Sequence, residues 1–267
     1  MFQVKEVSKL LGVDRSFLHY YDEVGIIVPK KNEKKYRYYN ENDIIALASS
    51  KYYRAMHFSL KSLTEIIQVS NLSEKVDLMK EQKQLLLEQA ELYKDIAIVC
   101  DYAINTYEIA YQDRHIIPAV ALEPFEFIPF VNEGIYDKSM SECEEVQKLL
   151  DFFPFVSFTY YFPISALVEK DKFTYFLGLS VISSFREKYH KELPKKHFCC
   201  CEKHCIVFSI TKDMQNDGFT YEDFNVVREY ANEHHLTLTG EAVAYCVFSN
   251  YVKEQAKIKF VVQIITK

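Results

Sequence analysis

A chain of 267 residues with 49% hydrophobic and 26% charged side chains has the balance of a folded, soluble protein, which excludes intrinsic disorder, and its length favours two domains over one. It contains neither a signal-peptide core nor an apolar run of membrane-spanning length, so a cytoplasmic protein without a membrane partner is expected, and its seven cysteines, an odd number, read as reduced thiols. The net charge of −6 is uneven: residues 1–62 hold eleven Lys/Arg against seven Asp/Glu, a net +4 that leaves −10 for the remainder, as in a nucleic-acid-facing head on an acidic body.

Val4, Val7, Leu10 and Leu11 follow helical spacing, and Gly12 stops that helix. Asp14 is placed to cap a second helix whose buried stripe is Phe17, Leu18 and Tyr21, ended by Gly25. Two short helices around a tight turn are a helix-turn-helix pattern. Ile26–Pro29 then leads into the charged tip Lys30–Lys35 and on to Tyr36–Tyr39, which reads as a β-hairpin, or wing. Asn40 with Asp43 opens a third helix through Ile44, Leu47 and Tyr52, and a fourth starts near Ser59 with Leu60, Leu63, Ile66 and Ile67.

From Ser73 to Gln112 there is no Pro or Gly. Met79, Lys83, Leu86, Ala90, Tyr93, Ala97, Cys100, Ile104, Tyr107 and Tyr111 alternate steps of four and three, a heptad seam. Packing of this helix within its own subunit is the competing reading. A helix of about 40 residues reaches about 60 Å, more than one small domain covers. A homodimer paired through 79–111 is therefore expected.

Beyond Pro118 the period becomes strand-like. Strand 115–131, helix 139–152 and strands 155–168 and 173–183 are predicted. Strand 197–211, helix 221–234 and strands 236–249 and 257–266 repeat that order. The fold class expected is α+β: a winged helix-turn-helix over 1–72, a dimerisation helix over 73–112 and a duplicated β-α-β-β domain over 115–267.

On the second helix Arg15 and His19 share the face opposite the core stripe, with Ser16 and Tyr20 beside them. Donors there reach base edges and phosphates in a major groove. The wing adds Lys34, Lys35 and Arg37, with Tyr36 and Tyr38 interleaved, cations to neutralise phosphates and hydroxyls to donate to them. Each alone reads as a solvated side chain, but the joint arrangement points to double-stranded promoter DNA.

Residues 1–70 resemble the DNA-binding domain of the MerR family, in FQVKEVSKLLGV, FLHYYDEVGII, YRYY followed by NENDI, and FSLKSLTEII. The rest of the chain is similar to the multidrug-binding branch, with HHLTLTGEAVAYCVFSNY and KIKFVVQIITK matching the last two strands of a gyrase-inhibitor-like effector domain. The resemblance implies an antiparallel coiled-coil dimer and a small-molecule effector. It also implies promoter DNA distorted to act on RNA polymerase indirectly, as activator or repressor, a readout of deformation. It carries DNA contacts onto Arg15, Tyr20, Lys35, Tyr36, Arg37 and Tyr38. Two departures stand out. The family commonly has Arg where this chain has His19, and the buried Glu with which related sensors attract cations aligns with Ala244. Glu241, three residues away, falls on the other strand face by alternation. A neutral or aromatic effector is expected instead, with Phe158, Tyr160, Tyr161, Phe208 and Tyr245 as candidate lining residues, although cores hold aromatics too.

His197-Phe198-Cys199-Cys200-Cys201-Glu202-Lys203-His204-Cys205 offers soft-metal or redox chemistry. In one strand, however, Cys199, Cys201 and Cys205 face away from Cys200 and His204, which closes no tetrahedral site. Buried structural thiols are the preferred reading, and no metal, cofactor or catalytic residue is expected. The alternatives are a small-molecule-processing enzyme with a DNA-binding domain, and a DNA-bending protein that needs no effector.

Overall fold

The computed structural model describes residues 1–69, 71–111, 117–121, 123–132, 135–195, 197–200, 204–213, 218–252 and 255–266. The chain divides into two compact units, Met1–Tyr93 and Lys94–Lys267, and the boundary falls inside one helix.

The first unit holds β1 (Phe2–Gln3), α1 (Val4–Leu11), α2 (Arg15–Glu23), β2 (Lys30–Lys31), β3 (Arg37–Tyr39), α3 (Glu41–Ala55), α4 (Leu60–Gln68) and the start of α5 (Leu72–Tyr111). Local chemistry sets most of its boundaries. Gly12 ends α1 in the left-handed region at φ 60°, open to glycine without a Cβ penalty. Asn40 and Asp43 exchange backbone bonds of 3.0 and 2.8 Å to cap α3, and Ser59 accepts from the Ser62 amide to cap α4. Asp14 occupies the cap position of α2, yet its side chain accepts no capping bond.

Val7, Leu18, Tyr21, Tyr39, Leu47, Phe58, Leu63 and Ile66 close one buried core. Leu10 and Tyr52, expected on buried stripes, are exposed. Each lies on the solvent side of its helix, and the neighbouring Leu11 and Tyr53 pack inward instead. The wing is a three-stranded sheet in the order β1-β3-β2. Lys30 and Lys31, expected in the tip, are strand residues paired with Tyr38 and Arg37.

Along α5 the expected seam is mostly open. Lys83, Ala90, Tyr93, Ala97, Cys100, Ile104, Tyr107 and Tyr111 are exposed, Ile104 at 51%, Tyr107 at 55% and Tyr111 at 90%. Met79 differs, because with Leu78 it packs onto the core of the first unit. Gln82 is held there by a 2.9 Å bond to the Met56 carbonyl.

The second unit is one antiparallel sheet. Its strands are β4 (Ile117–Ala121), β5 (Phe125–Asn132), β6 (Ile135–Tyr136), β7 (Val156–Phe162), β8 (Phe176–Ile182), β9 (Phe198–Cys200), β10 (His204–Asp213), β11 (Leu238–Val252) and β12 (Gln255–Thr266). Its helices are α6 (Lys138–Ser141), α7 (Glu144–Leu150), α8 (Ile164–Val168), α9 (Ser183–Lys188) and α10 (Asn225–Glu233). The order is β4-β10-β12-β11-β7-β8-β5-β6, with β9 also pairing β5. The triplets β5-β8-β7 and β10-β12-β11 mirror each other across the β7–β11 seam. Both contain strand, helix, strand, strand in chain order, so the duplicated unit is present. The first predicted strand, 115–131, is two strands, β4 and β5. The predicted strand 197–211 is also two: β9 pairs β5, whereas β10 pairs β4 and β12.

Gly178 sits where β8 meets β5. A Cβ there would lie 2.0 Å from the Ile128 carbonyl oxygen and 2.9 Å from Phe127 Cζ. Backbone cannot yield as a side-chain tip does, so Gly178→Ala is expected to destabilise the sheet by about 2 kcal/mol or more, read as a lowered urea midpoint with an unchanged slope.

Candidate nucleic-acid interface

Helix α2 buries Leu18 and Tyr21 and turns Arg15, Ser16 and Tyr20 to solvent, with His19 half-buried. These are the residues expected on its outer face. Beside them, Ser8 and Lys9 of α1 join Asp14, Ser16 and Tyr20 around an open concavity of about 670 Å³. Lys9, not among the expected contact residues, thus adds a cation that the α1–α2 packing brings beside them.

The wing tip is built on Asn32. Its side-chain oxygen accepts from the amides of Lys34 (3.1 Å) and Tyr36 (2.9 Å). The Lys35 amide donates to its carbonyl at 2.8 Å. Lys35 takes φ 60° to complete the turn, which leaves Lys34, Lys35 and Tyr36 exposed. Lys30 and Lys31 are exposed on the adjoining strand, and Tyr38 is half-buried.

Arg37 is placed differently from its fellows. Its Nε donates to Asp22 Oδ2 at 2.7 Å, and the Lys31 ammonium lies 3.1 Å from the same oxygen. Burial alone would raise the Asp22 carboxyl, but the donors from Arg37 and Lys31 outweigh it and hold the group below the usual carboxylate range. Asp22 was not among the expected site residues, because nothing in the spacing of residues 22, 31 and 37 signals the contact. Tyr39, two positions beyond Arg37, is fully buried with no hydrogen bond to its hydroxyl, and burial raises its pKa.

The five aromatics considered for an effector do not share one face. Tyr160 and Phe208 pack with Phe162, Phe219, Phe224 and Phe260 in the core over which α8 and α10 lie. Tyr161 and Tyr245 belong to the opposite face, with Phe127, Val243 and Val261. Phe158 is half-exposed near Phe130 and Phe153. Ala244 is buried in the helix-covered core, so an acid at that position would meet packed side chains there. Next to Glu241 the β11–β12 register shifts between Leu238 and Ala242. Simple alternation therefore does not assign the Glu241 face.

On the Tyr161 face, Thr159 Oγ1 and Gln263 Oε1 are buried without hydrogen-bond partners. Strand alternation sets Thr159 beside Tyr161, and Gln263 between Val261 and Ile265. Of the cysteine-rich segment, residues 201–203 lie outside the described residues. Cys199 is exposed on β9, and Cys205 is buried on β10. Among the described residues no group of His, Cys, Asp and Glu is arranged to hold a metal ion, and no helix is long and apolar enough to cross a membrane.

A three-stranded wing beside two short helices, with exposed cations and tyrosines on both α2 and the wing, defines a winged helix-turn-helix unit. Residues 2–69 match the family model described as MerR HTH family regulatory protein, and this segment is a MerR-family helix-turn-helix domain. Among curated relatives, the HTH-type transcriptional regulator SkgA of Caulobacter vibrioides is 28% identical over 109 residues, 40% of this chain and 42% of that protein. The HTH-type transcriptional activator mta of Bacillus subtilis is 28% identical over 91 residues, 34% of this chain and 35% of its own. The match therefore spans about four-tenths or less of the length of these relatives. Among solved structures, MtaN, the N-terminus of the Bacillus subtilis multidrug transporter activator, has a TM-score of 0.36 at 25% identity, covering 39% of this chain and 98% of that one.

Proposed function

We propose that this protein is a homodimeric, DNA-binding transcription regulator whose C-terminal sheet unit takes up a small effector and biases how promoter DNA is distorted. One observation carries the reading: Arg15, Ser16 and Tyr20 of α2 and Lys34, Lys35 and Tyr36 of the wing are exposed together on one compact unit. The helix residues are suited to a major groove, and the wing cations to flanking phosphates. The open seam of α5 supplies a surface for a second copy, which would present two such units to a palindromic site. The names of the relatives, HTH-type regulators and an activator, favour a regulatory role over an enzymatic one.

The effector is neutral and carries hydrogen-bond donors. Ala244 offers no charge to a cation in the helix-covered core. On the opposite face, beside Tyr161 and Tyr245, Gln263 holds a buried oxygen in need of a donor and Thr159 a buried hydroxyl in need of a partner. An unmade hydrogen bond in such a place costs about 1–3 kcal/mol, and a donating ligand would relieve it.

DNA binding is tested with the full chain and a labelled promoter duplex by fluorescence anisotropy across a salt series. Lys34→Ala/Lys35→Ala is expected to weaken binding and to flatten the slope of log K against log salt by about 0.9 per lost phosphate contact. An unchanged slope would remove the wing from the interface.

A further inference from the structure

We infer that Asp22 is a positioning residue for DNA binding: it latches the wing onto α2 and aims the Arg37 guanidinium at the duplex backbone. The inference rests on the DNA-binding reading above.

Such a latch suits the wing. Its strands β2 and β3 are two and three residues long. Strand β3 is tied to the unit through a two-residue pairing with β1 and the buried Tyr39, so a hairpin this short gains from a further tie near its tip. Lys31 and Arg37 are register partners across the hairpin, and like charges directly opposite each other repel. Asp22, in the last turn of α2, puts one carboxylate oxygen against both cations, at 2.7 Å from Arg37 Nε and 3.1 Å from Lys31 Nζ. The pair is well sheltered, with the Asp22 side chain 11% exposed and that of Arg37 21%. Holding Arg37 through Nε fixes the plane of its guanidinium. Among the described residues, the two terminal amino groups have no protein partner and remain available to a phosphate, which an arginine fork grips with paired bonds. The recognition helix and the wing are thereby joined at fixed spacing through one acidic side chain.

The sign of the effect separates this role from mere charge. Asp22 is an anion on a surface proposed to face a polyanion, so by Coulomb's law alone its removal should tighten binding. If it positions Arg37, removal should loosen it.

The test uses full-length protein, a labelled mixed-sequence duplex about three helical turns long, and anisotropy titrations at several potassium chloride concentrations. Asp22→Asn is expected to raise Kd about fivefold and to reduce the magnitude of the salt slope by about one phosphate contact. On an Arg37→Ala background the same change should add little, and Asp22→Glu should restore most of the loss. Thermal melts by circular dichroism separate a local effect from unfolding of the unit. Binding by D22N that equals or exceeds the wild type, with an intact melt, overturns the latch while the DNA-binding reading stands. Absence of any salt-dependent binding by the wild type overturns that reading, and the latch falls with it.

Discussion

Replacing Ile104 and Tyr107 together by aspartate is expected to leave a monomer in sedimentation equilibrium and to weaken binding to a palindromic duplex about a hundredfold or more. Both side chains are more than half exposed, so the substitutions disturb no core within the chain. They stand one helical turn apart on a line that also exposes Ala90, Tyr93, Ala97, Cys100 and Tyr111. A partner helix packed along that line would bury the ring and the isoleucine, and carboxylates placed in the dry seam would oppose it through their desolvation cost. The DNA effect follows from valence. In the proposed dimer the second half-site contact forms at high effective concentration, typically a gain of about 10²–10⁴. A double variant that sediments as a dimer would show that the seam is not the subunit interface. A wild-type chain that is itself monomeric would remove the dimer from the proposal.

Removing Arg186 is expected to destabilise the second unit strongly. Glu126 lies on β5, 5% exposed, and its carboxylate meets the Arg186 guanidinium of α9 at 2.9 Å, while its second oxygen has no partner. Arg186→Ala would leave a buried charge with nothing to balance it, at a cost of about 3–5 kcal/mol. Urea unfolding followed by far-ultraviolet circular dichroism reads this as a fall in midpoint. The double change Glu126→Gln/Arg186→Met should recover most of the loss, because it removes both charges and refills the space. A loss below about 1 kcal/mol for Arg186→Ala would mean that water screens the pair as it does a surface bridge.

The first unit was the more legible part of the chain. Gly12, the Asn40–Asp43 box and Ser59 act within three or four residues of themselves, so helix starts and stops could be read without knowing the fold. The same locality exposed Arg15, Tyr20, Lys34 and Lys35 as candidates, since the buried stripe of a short helix and the tip of a hairpin identify their own outer faces. The reading was weaker where neighbours compete. Leu10 against Leu11, and Tyr52 against Tyr53, differ only in which face the core happens to cover.

The effector region was less legible, for reasons visible in particular strands. Tyr160 and Tyr161 are adjacent in sequence, and alternation sends them into two different cores. Register shifts interrupt β5 between Pro129 and Val131 and β11 at two places, and each shift re-aims every side chain beyond it. The division of residues 197–211 into β9 and β10 belongs to the same class. Which strand a cysteine joins depends on partners far away in the chain.

The sequence by itself determined the helix-turn-helix and wing, the long uninterrupted helix with its apolar line, and the twofold recurrence of strand, helix, strand, strand, because hydrophobic period and capping are properties of neighbouring residues. The tertiary structure alone decided that Arg37 answers to Asp22, fifteen residues away, that Arg186 answers to Glu126, sixty away, and that the five aromatics divide between two faces. Ion pairs and face assignments arise only when distant segments share a dry contact, and pairwise Coulomb attraction leaves no period in the chain that makes it.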